Sequence, residues 1–319
     1  MDGGFQGRRH RTPIADGENG DRIMIVHAPV GIIGLGLMGI ALSERLIDAK
    51  VPVIGFDIEA SGCDKLKAIA GTIATSVRDL AGQSRAIVVA VYSGEQVETL
   101  FGDLERGASQ AQPVVICTTT CAPDQIARLG RRAAGAGLAL VEAPISGTSA
   151  ELRAGTATAL VAGESDAIDS VKALLDILCP RSVHVGAIGD ASRTKLAINL
   201  ILQNNRATLA EGIAFAEHLG LDGEAFLEVA RESAAYSRVM ETKGDKMLRR
   251  DYRPQSHISQ TLKDAELILN EAGRRGLRLP MTATQADLLR AAIALVGPDS
   301  DSAAVIEAIR RPAATEVAR

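Results

Sequence analysis

The sequence predicts an α/β protein, in which a doubly wound, mainly parallel sheet is followed by an all-α domain joined to it by a long interdomain helix. Two observations predict this fold class. Short apolar runs alternate with helix-like stretches from Ile25 to about Val185, as in the βαβ units of a parallel sheet. After Gly189 the apolar residues follow helical spacing, and no strand-like run appears.

The early predicted strands are apolar on both sides, which is typical of strands whose two faces are covered by helices. Seven runs are predicted as strands: VGIIGLG, VPVIGFD, AIVVAVY, PVVICTT, LALVEAP, TALVAGE and SVHVG. The segments between most of them, such as IALSERLIDA and PDQIARLGRRAAGAG, resemble helices. These elements together predict a doubly wound sheet.

The stretch SRTKLAINLILQNNRATLAEGIAFAEHLG predicts one long helix that ends near Gly220, which would serve as its C-cap. The chain therefore divides into three predicted segments. Residues 1–24 are polar and predict a disordered tail, residues 25–190 form the sheet domain, and residues 191–319 form the all-α domain.

Composition narrows the class of protein. The 319 residues suggest about two domains, and the net charge of −4 argues against a nucleic-acid partner. No apolar run reaches the roughly 18 residues of a membrane helix, and the N-terminus lacks the apolar segment of a secretory signal. The cysteines lack zinc-site spacing and are interpreted as reduced thiols of a cytoplasmic protein, so no metal site is predicted; they are Cys63, Cys117, Cys121 and Cys179.

A glycine-rich turn follows the first predicted strand, with the sequence Gly34-Leu35-Gly36-Leu37-Met38-Gly39. Gly34 allows a tight turn, Gly36 allows the backbone to approach a pyrophosphate, and Gly39 allows close helix–strand packing. The helix that follows would offer free N–H groups and the positive end of its dipole to phosphates. The alternative is a purely structural turn.

Asp57 ends the next predicted strand, about twenty residues further on, where dinucleotide sites hold a ribose. Its carboxylate can accept hydrogen bonds from a ribose diol and repels a 2′-phosphate. The strand, the turn, the amphipathic helix and this aspartate together favour a dinucleotide site. The sequence predicts NAD as the cofactor, with NADP as the alternative.

Lys195 and Asn199 are four residues apart and share one face of the long helix, just after its start. A lysine on a mostly apolar helix is costly to bury, and burial lowers its pKa. Such a lysine could exchange a proton with a substrate oxygen, while the asparagine orients the substrate. The alternative is a lysine whose ammonium group reaches solvent.

Three further stretches are candidates for substrate or cofactor contacts, and each also has an ordinary structural explanation. The loop Ser146-Gly147-Thr148 could hold a carboxylate through backbone N–H groups and hydroxyls, or it is a plain turn. Thr118-Thr119-Thr120 follows a predicted strand, where threonines are common. Lys263-Asp264 could equally lie on a solvated helix face.

These elements, in this order, resemble the β-hydroxyacid dehydrogenase family, which includes 3-hydroxyisobutyrate dehydrogenase, tartronate semialdehyde reductase and threonate-type dehydrogenases. The resemblance extends from about Val30 to about Leu289. The matching positions are Gly34, Gly36, Met38 and Gly39 for the cofactor motif, Thr120 beside the nicotinamide, Glu142 to Thr148 for the substrate motif, Gly186, Gly189, Lys195 and Asn199 for the catalytic motif, and Lys263 for the lysine that reaches the cofactor.

Four positions depart from the family pattern. Thr148 replaces the last glycine of the substrate motif, which narrows the carboxylate loop or adds a donor to it, and Ala191 replaces a glycine of the catalytic motif. Cys117 and Glu142 stand where the family has aspartates. Imine reductases of the same fold usually lack the catalytic lysine, so Lys195 argues against them.

The resemblance implies an NAD-binding Rossmann-like domain and an all-α domain for substrate binding and dimerisation. It implies hydride transfer between nicotinamide and a small hydroxy acid, or the matching semialdehyde or keto acid, in a homodimer or homotetramer. Lys195 would be the general acid/base with Asn199 beside it, and Ser146, Gly147 and Thr148 would hold the carboxylate. The alternatives are an NADP-dependent aldehyde or imine reductase and a non-catalytic dinucleotide-binding protein.

Overall fold

The protein is described from a computed structural model, which covers residues 29–108 and 112–310. The predicted disordered tail lies outside the described residues. Within them, one sheet runs through the N-terminal half of the chain. Its strands are β1 (Val30–Ile33), β2 (Val53–Phe56), β3 (Thr72–Ile73), β4 (Ala86–Val89), β5 (Val114–Cys117), β6 (Ala139–Glu142), β7 (Ile145–Ser146), β8 (Thr158–Ala162) and β9 (Arg181–Gly186).

The sheet has the order β3-β2-β1-β4-β5-β6-β8-β7, with β9 paired to β8. All pairs from β3 to β6 are parallel, and Val30 of β1 faces both Val53 of β2 and Ala86 of β4. Strands β2 and β3 lie on one side of β1, whereas β4, β5 and β6 lie on its other side, so the order of the strands reverses at β1. In such a doubly wound sheet a crevice for ligands lies beyond the carboxyl ends of these strands.

Helices cover both faces of this sheet, as the apolar strands predicted. Neighbouring residues of one strand therefore enter different cores: Ile32 packs in one cluster and Ile33 in the other. The helices of this half are α1 (Leu37–Asp48), α2 (Ala60–Ala68), α3 (Val77–Gln83), α4 (Gly94–Ala108), α5 (Pro123–Gly135), α6 (Ser149–Arg153), α7 (Ser165–Ser170) and α8 (Lys172–Leu178).

In the described C-terminal part the helices are joined by loops and one isolated β-bridge between His257 and Asp301, and the first helix is the long α9 (Asp190–His218). Gly189 precedes this helix with φ +102°, and Gly220 follows it with φ +77°, a left-handed conformation that favours glycine. A π-helical turn spans Met240–Gly244 and a 3₁₀ turn spans Ser302–Ala304. The remaining helices are α10 (Gly223–Arg231), α11 (Asp245–Leu248), α12 (Ile258–Arg274), α13 (Pro280–Val296) and α14 (Val305–Arg310).

The predicted fold class is confirmed, and so is the long helix ending beside Gly220. Two strands were not predicted, β3 and β7, because each has two residues and so carries no periodic signal. The sheet also becomes antiparallel where β8 pairs with β6 and β7. The boundaries at residues 25, 190 and 191 stay predictions.

A buried ion pair stabilises the helical part. Lys243 Nζ lies 2.7 Å from Asp301 Oδ1, and the two side chains are 2% and 0% exposed. Asp301 also accepts hydrogen bonds from the backbone N–H groups of Gln255 and Ala303. Burial lowers the pKa of Lys243 to about 8, and the charge of Asp301 opposes this change. The lysine therefore depends on its partner to remain charged.

We expect Asp301→Ala to lower the free energy of unfolding by about 3–5 kcal/mol, because it leaves a buried cation unpaired. Chemical denaturation of the variant would measure this loss. The matched control is Asp287→Ala, which breaks an exposed pair with Arg290 and should cost under about 0.5 kcal/mol. Equal losses in the two variants would contradict the importance of the buried pair.

Candidate active site at the domain boundary

The glycine-rich turn joins the end of β1 to the start of α1, and two of its glycines are required by packing. Gly34 has φ +92°, and a Cβ there would lie 2.6 Å from the carbonyl oxygen of Ala90. A Cβ on Gly39 would lie 1.8 Å from the carbonyl oxygen of Gly34. These contacts bring the helix close to the strand, as the motif predicts.

Gly36 differs from these two because nothing lies within 4 Å of the position where its Cβ would be. It is the N-cap of α1, where no side chain caps the helix and no acidic residue occupies the first turn. The first N–H groups of the helix and the positive end of its dipole therefore face open space. Leu37 and Met38, the first residues of α1, are half-buried beside this opening. The turn fits the pyrophosphate of a dinucleotide.

Asp57 follows β2 and lies next to the glycine-rich turn. Its Oδ2 accepts a hydrogen bond from the N–H of Leu35 at 2.5 Å, and its Oδ1 accepts one from the N–H of Glu59 at 2.8 Å. The carboxylate therefore helps to fix the turn and also lies where a ribose diol would approach. The next residue, Ile58, is exposed and uncharged, so no cation directly follows the aspartate.

Lys195 and Asn199 lie in the first turns of α9 and are both buried. Asn199 Nδ2 donates a hydrogen bond to Asp264 Oδ2 of α12 at 2.8 Å. Lys195 Nζ makes no hydrogen bond or ion pair with the residues that the structure describes, although only 6% of the residue is exposed. Most of the side chain is therefore buried, and its amine has no partner among the described residues at the boundary between the two domains.

The environment of Lys195 changes its acidity. Burial lowers the pKa of Lys195 to about 8, the charge of Asp264 raises it, the charge of Lys263 lowers it, and the charge of Glu151 raises it. Burial dominates because the charged form is poorly solvated there. Near neutral pH such a lysine exchanges its proton more readily than a solvated one, which suits acid–base chemistry.

The start of α9 is fixed by Glu142, at the end of β6. Its completely buried carboxylate accepts a hydrogen bond from the N–H of Gly189 at 2.7 Å and another from the Ser192 hydroxyl. Burial raises the pKa of Glu142, whereas these two hydrogen bonds lower it. Ser192 is one helical turn before Lys195, so this carboxylate sets the position of the lysine relative to the sheet. Ala191 is completely buried in the same turn.

Lys263 of α12 crosses from the helical domain to the sheet edge. Its Nζ donates hydrogen bonds to the carbonyl oxygens of Tyr92 and Thr120, each at 3.2 Å. It also lies 3.0 Å from Asp264 Oδ1 and 5.7 Å from the centre of the Tyr92 ring. The structure therefore brings together two predicted site residues, Lys263 and Thr120, although they are far apart in the sequence.

The threonines after β5 are not equivalent. The Thr118 hydroxyl donates to the carbonyl oxygen of Val89 at 2.9 Å, and the Thr119 hydroxyl donates to that of Val91 at 3.1 Å. The Thr120 hydroxyl makes no hydrogen bond in the described part of the chain. Among the three, Thr120 is thus the threonine whose hydroxyl remains available to a ligand.

The predicted substrate loop lies between β7 and α6. Thr148 is the N-cap of α6, and its hydroxyl accepts a hydrogen bond from the N–H of Glu151 at 3.2 Å. The Glu151 carboxylate in turn accepts the N–H of Thr148 at 2.9 Å, which completes a capping box. Thr148 therefore has a structural function, and only its hydroxyl proton remains to be donated.

Sequence reasoning missed the contribution of Glu151, although its signal was present. Thr148 followed three residues later by a glutamate is the sequence pattern of a capping box. It also missed Tyr92, whose carbonyl oxygen receives Lys263 and whose hydroxyl donates to the carbonyl oxygen of Ser259 at 3.1 Å. No local pattern predicts this second contact, because it joins two distant segments.

Two family models match the chain. The NAD-binding domain of 6-phosphogluconate dehydrogenase matches residues 29–186, and the model described as the NAD-binding domain of NADP-dependent 3-hydroxyisobutyrate dehydrogenase matches residues 189–309. The chain belongs to the β-hydroxyacid dehydrogenase family. It is therefore an NAD(P)-dependent oxidoreductase of the hydroxyacid dehydrogenase type, as the sequence motifs predicted.

Curated relatives agree with this family, and a solved structure shares the fold. L-threonate dehydrogenase of Cupriavidus necator is 28% identical over 86% of this chain and 94% of its own length. The 2-hydroxy-3-oxopropionate reductase of Escherichia coli is 29% identical over 88% of this chain and 96% of its own. The crystal structure of 3-hydroxyisobutyrate dehydrogenase from Salmonella typhimurium shares the fold, with a TM-score of 0.79, 24% identity, and coverage of 88% of this chain and 99% of that one.

None of the helices in residues 29–108 and 112–310 is long and apolar enough to cross a membrane. The same described residues contain no group of three or more histidine, cysteine, aspartate or glutamate side chains arranged to hold a metal ion.

The two kinds of glycine in the turn predict different effects of substitution. We expect Gly39→Ala to destabilise the fold, because its Cβ would overlap the carbonyl oxygen of Gly34. Gly36→Ala has room to fold, but its methyl group would fill the space that the cofactor phosphates need. It should keep its melting temperature and weaken NAD binding at least about tenfold, a loss of about 1.4 kcal/mol.

Thermal unfolding without ligand and calorimetric titration with NAD would measure these effects for both variants. Unimpaired NAD binding by Gly36→Ala would contradict the assignment of this turn to the cofactor phosphates.

Proposed function

We propose that this enzyme oxidises a small hydroxy acid, or reduces the matching semialdehyde or keto acid, with Lys195 as its general acid/base. The observation that supports this most directly is Lys195, whose side chain is largely buried, whose amine has no partner among the described residues, and which lies beside Asn199 at the domain boundary. Nicotinamide, when bound, supplies or accepts the hydride.

The proposed role of Lys195 is proton exchange at the substrate oxygen. In the oxidation direction its neutral amine takes the hydroxyl proton, and in the reduction direction its ammonium returns a proton to the carbonyl oxygen. Asn199 has one amide proton engaged by Asp264, which fixes the orientation of its amide group. The rest of that amide can then hold the substrate oxygen or Lys195.

The proposed carboxylate site is the loop Ser146-Gly147-Thr148. The N–H of Thr148 is engaged by Glu151, so the donors left for a substrate are the Ser146 hydroxyl, the Gly147 N–H and the Thr148 hydroxyl proton. Consecutive donors of this kind suit a carboxylate. Thr148 therefore contributes through its side chain where a glycine could contribute only its backbone.

For the cofactor, we propose NAD in preference to NADP, bound by the turn from Gly34 to Gly39 with Asp57 facing the ribose. Asp57 is followed by Ile58 and Glu59, so the segment carries negative charge and no cation that would bind a 2′-phosphate. Thr120 and Lys263 are proposed to border the nicotinamide end of the site, because they meet beyond β5.

An NADP-dependent aldehyde or imine reductase of the same fold is less well supported than a hydroxyacid dehydrogenase. The presence of Lys195 opposes an imine reductase, and Asp57 opposes NADP. A non-catalytic dinucleotide-binding protein is also disfavoured, because it would have no need of a buried, partnerless lysine beside an oriented asparagine.

We also propose a homo-oligomer, a dimer or a tetramer, that associates through the helical domain. Three large apolar side chains lie exposed along one face of the last two thirds of α9 and at its C-cap: Ile201, Phe215 and Leu219. Their spacing places them on the same side of the helix. Such an exposed apolar face is typical of a protein–protein interface.

Removal of the amine of Lys195 should abolish most of the proposed activity. We expect Lys195→Ala to lower turnover on the order of a hundredfold or more and to leave NAD affinity near that of the wild type, because general acid–base catalysis contributes about this much. Steady-state kinetics over a panel of small hydroxy acids and NAD titration would measure both. Normal turnover by this variant would refute the assigned role.

The pH dependence provides an independent check. With a pKa of about 8, Lys195 is protonated below pH 8, so kcat/KM for oxidation should rise with pH and level off above it. In the reduction direction, kcat/KM should fall above pH 8, because the ammonium is then lost. The control is Lys195→Arg, which keeps the charge but cannot act as a base and should lose this profile.

The cofactor preference can be tested at Asp57. We expect Asp57→Ala to weaken NAD binding by about tenfold or more and to change the ratio of NAD to NADP affinity toward NADP, because a repulsive charge is removed. Titration of both cofactors would measure the ratio. Asp57→Asn is the control for the turn, since its amide oxygen can still accept one N–H; an unchanged ratio in both variants would contradict the NAD assignment.

A further inference from the structure

We propose that Arg238 is a substrate-binding residue that selects hydroxy acids with a second carboxylate, and that Glu151 holds its guanidinium beside the substrate loop. This inference rests on the proposed function, because it assumes that Ser146-Gly147-Thr148 holds the carboxylate nearest to the reacting carbon. It adds the substrate class, a dicarboxylate whose reacting carbon bears a hydroxyl group.

Arg238 belongs to the helical domain but contacts the substrate loop of the sheet domain. Its guanidinium lies 2.7 Å from Glu151 Oε1, and the two side chains are 57% and 18% exposed. A second contact joins α6 to another segment of the helical domain, since the Ser149 hydroxyl and N–H both donate to the carbonyl oxygen of Gln255. The pair therefore lies at the mouth of the site, where the two domains meet.

Glu151 places this cation close to the reacting groups. A Cβ built on Gly147 would lie 3.5 Å from Glu151 Oε2, and the other carboxylate oxygen of Glu151 faces Arg238. The charge of Glu151 is also near enough to act on Lys195. Glu151 therefore joins the Arg238 guanidinium to the loop that is proposed to hold the first carboxylate.

The hydrogen-bonding capacity of the two partners is unequal. Both oxygens of Glu151 are engaged, one by the N–H of Thr148 and the other by Arg238. Arg238 has one described partner, and a guanidinium has several further N–H donors in a planar arrangement that matches a carboxylate. The hydrogen-bond donors that remain free in this pair are therefore those of the Arg238 guanidinium. A cation with free N–H donors suits an anionic group of the substrate.

Another nearby cation, Lys263, is less suited to bind a second carboxylate. Lys263 is engaged by Asp264 and by two carbonyl oxygens, so it is not free to bind a second carboxylate. An isolated exposed ion pair contributes little to stability. Recognition of an anionic substrate group explains better than stability why this pair joins the two domains beside the substrate loop.

The test compares two substrates with the same reacting hydroxymethyl group and adjacent carboxylate. 3-Hydroxyisobutyrate has one carboxylate, and 2-(hydroxymethyl)glutarate has a second one on a longer arm. We expect wild-type kcat/KM to favour the dicarboxylate. Arg238→Ala should lower kcat/KM for the dicarboxylate by about tenfold to a hundredfold, the value of a hydrogen bond to a charged group, mainly through KM.

Arg238→Ala alone also exposes the charge of Glu151, which would repel any acid. The double variant Arg238→Ala with Glu151→Gln removes both charges and keeps an oxygen that can accept the Thr148 N–H. We expect it to restore activity on the monocarboxylate but not on the dicarboxylate. Arg238→Lys keeps the charge and should lose less than Arg238→Ala; thermal unfolding confirms that each variant folds.

Binding of unreactive acids separates this inference from the proposed function. Glutarate and butyrate would be titrated calorimetrically into the enzyme saturated with NAD, and glutarate alone should bind at least about tenfold more weakly to the double variant. Absence of hydride transfer with every hydroxy acid would overturn the proposed function, even if glutarate still required Arg238. A wild-type preference for the monocarboxylate, or equal effects of the double variant on both acids, would overturn the role of Arg238.

Discussion

The contacts of Lys263 with the sheet edge are the constraint on which the site depends. One ammonium group holds the carbonyl oxygens of Tyr92 and Thr120 from across the domain boundary. The neighbouring Asp264 extends this link to Asn199 on the long helix. The sheet edge after β5, the start of α9 and α12 are therefore joined through two adjacent residues, so a shift of one part would move all three.

Two buried carboxylates position the helix α9, and neither of them is proposed to react. Glu142 holds the start of α9 through Gly189 and Ser192, and Asp264 holds Asn199. Between them, Lys195 is buried with no acceptor for its protons among the described residues. The lysine itself is therefore left available, which suits the acid–base role proposed for it.

The substrate loop shows how a departure from the family pattern changes chemistry through local structure. Thr148, in place of a glycine, caps α6 and forms a capping box with Glu151. That box uses one N–H that a carboxylate could otherwise have bound, and it places Glu151 where Arg238 can reach it. A single side chain thereby alters the donors of the loop and brings a cation to the mouth of the site.

The sequence by itself determined the fold class, the glycine-rich turn with Asp57, and Lys195 and Asn199 on one helix face, because these follow from local spacing and periodicity. It could not predict the two-residue strands β3 and β7, whose pairing depends on their neighbours. Only the tertiary structure decided which of three threonines has a free hydroxyl, that Lys263 meets Thr120, and that Glu151 pairs with Arg238. The contacts of Lys263 and of Glu151 join residues that are distant in the chain, and the threonine hydroxyls bind carbonyl oxygens at the end of a neighbouring strand. A local sequence pattern cannot predict which distant residues come into contact.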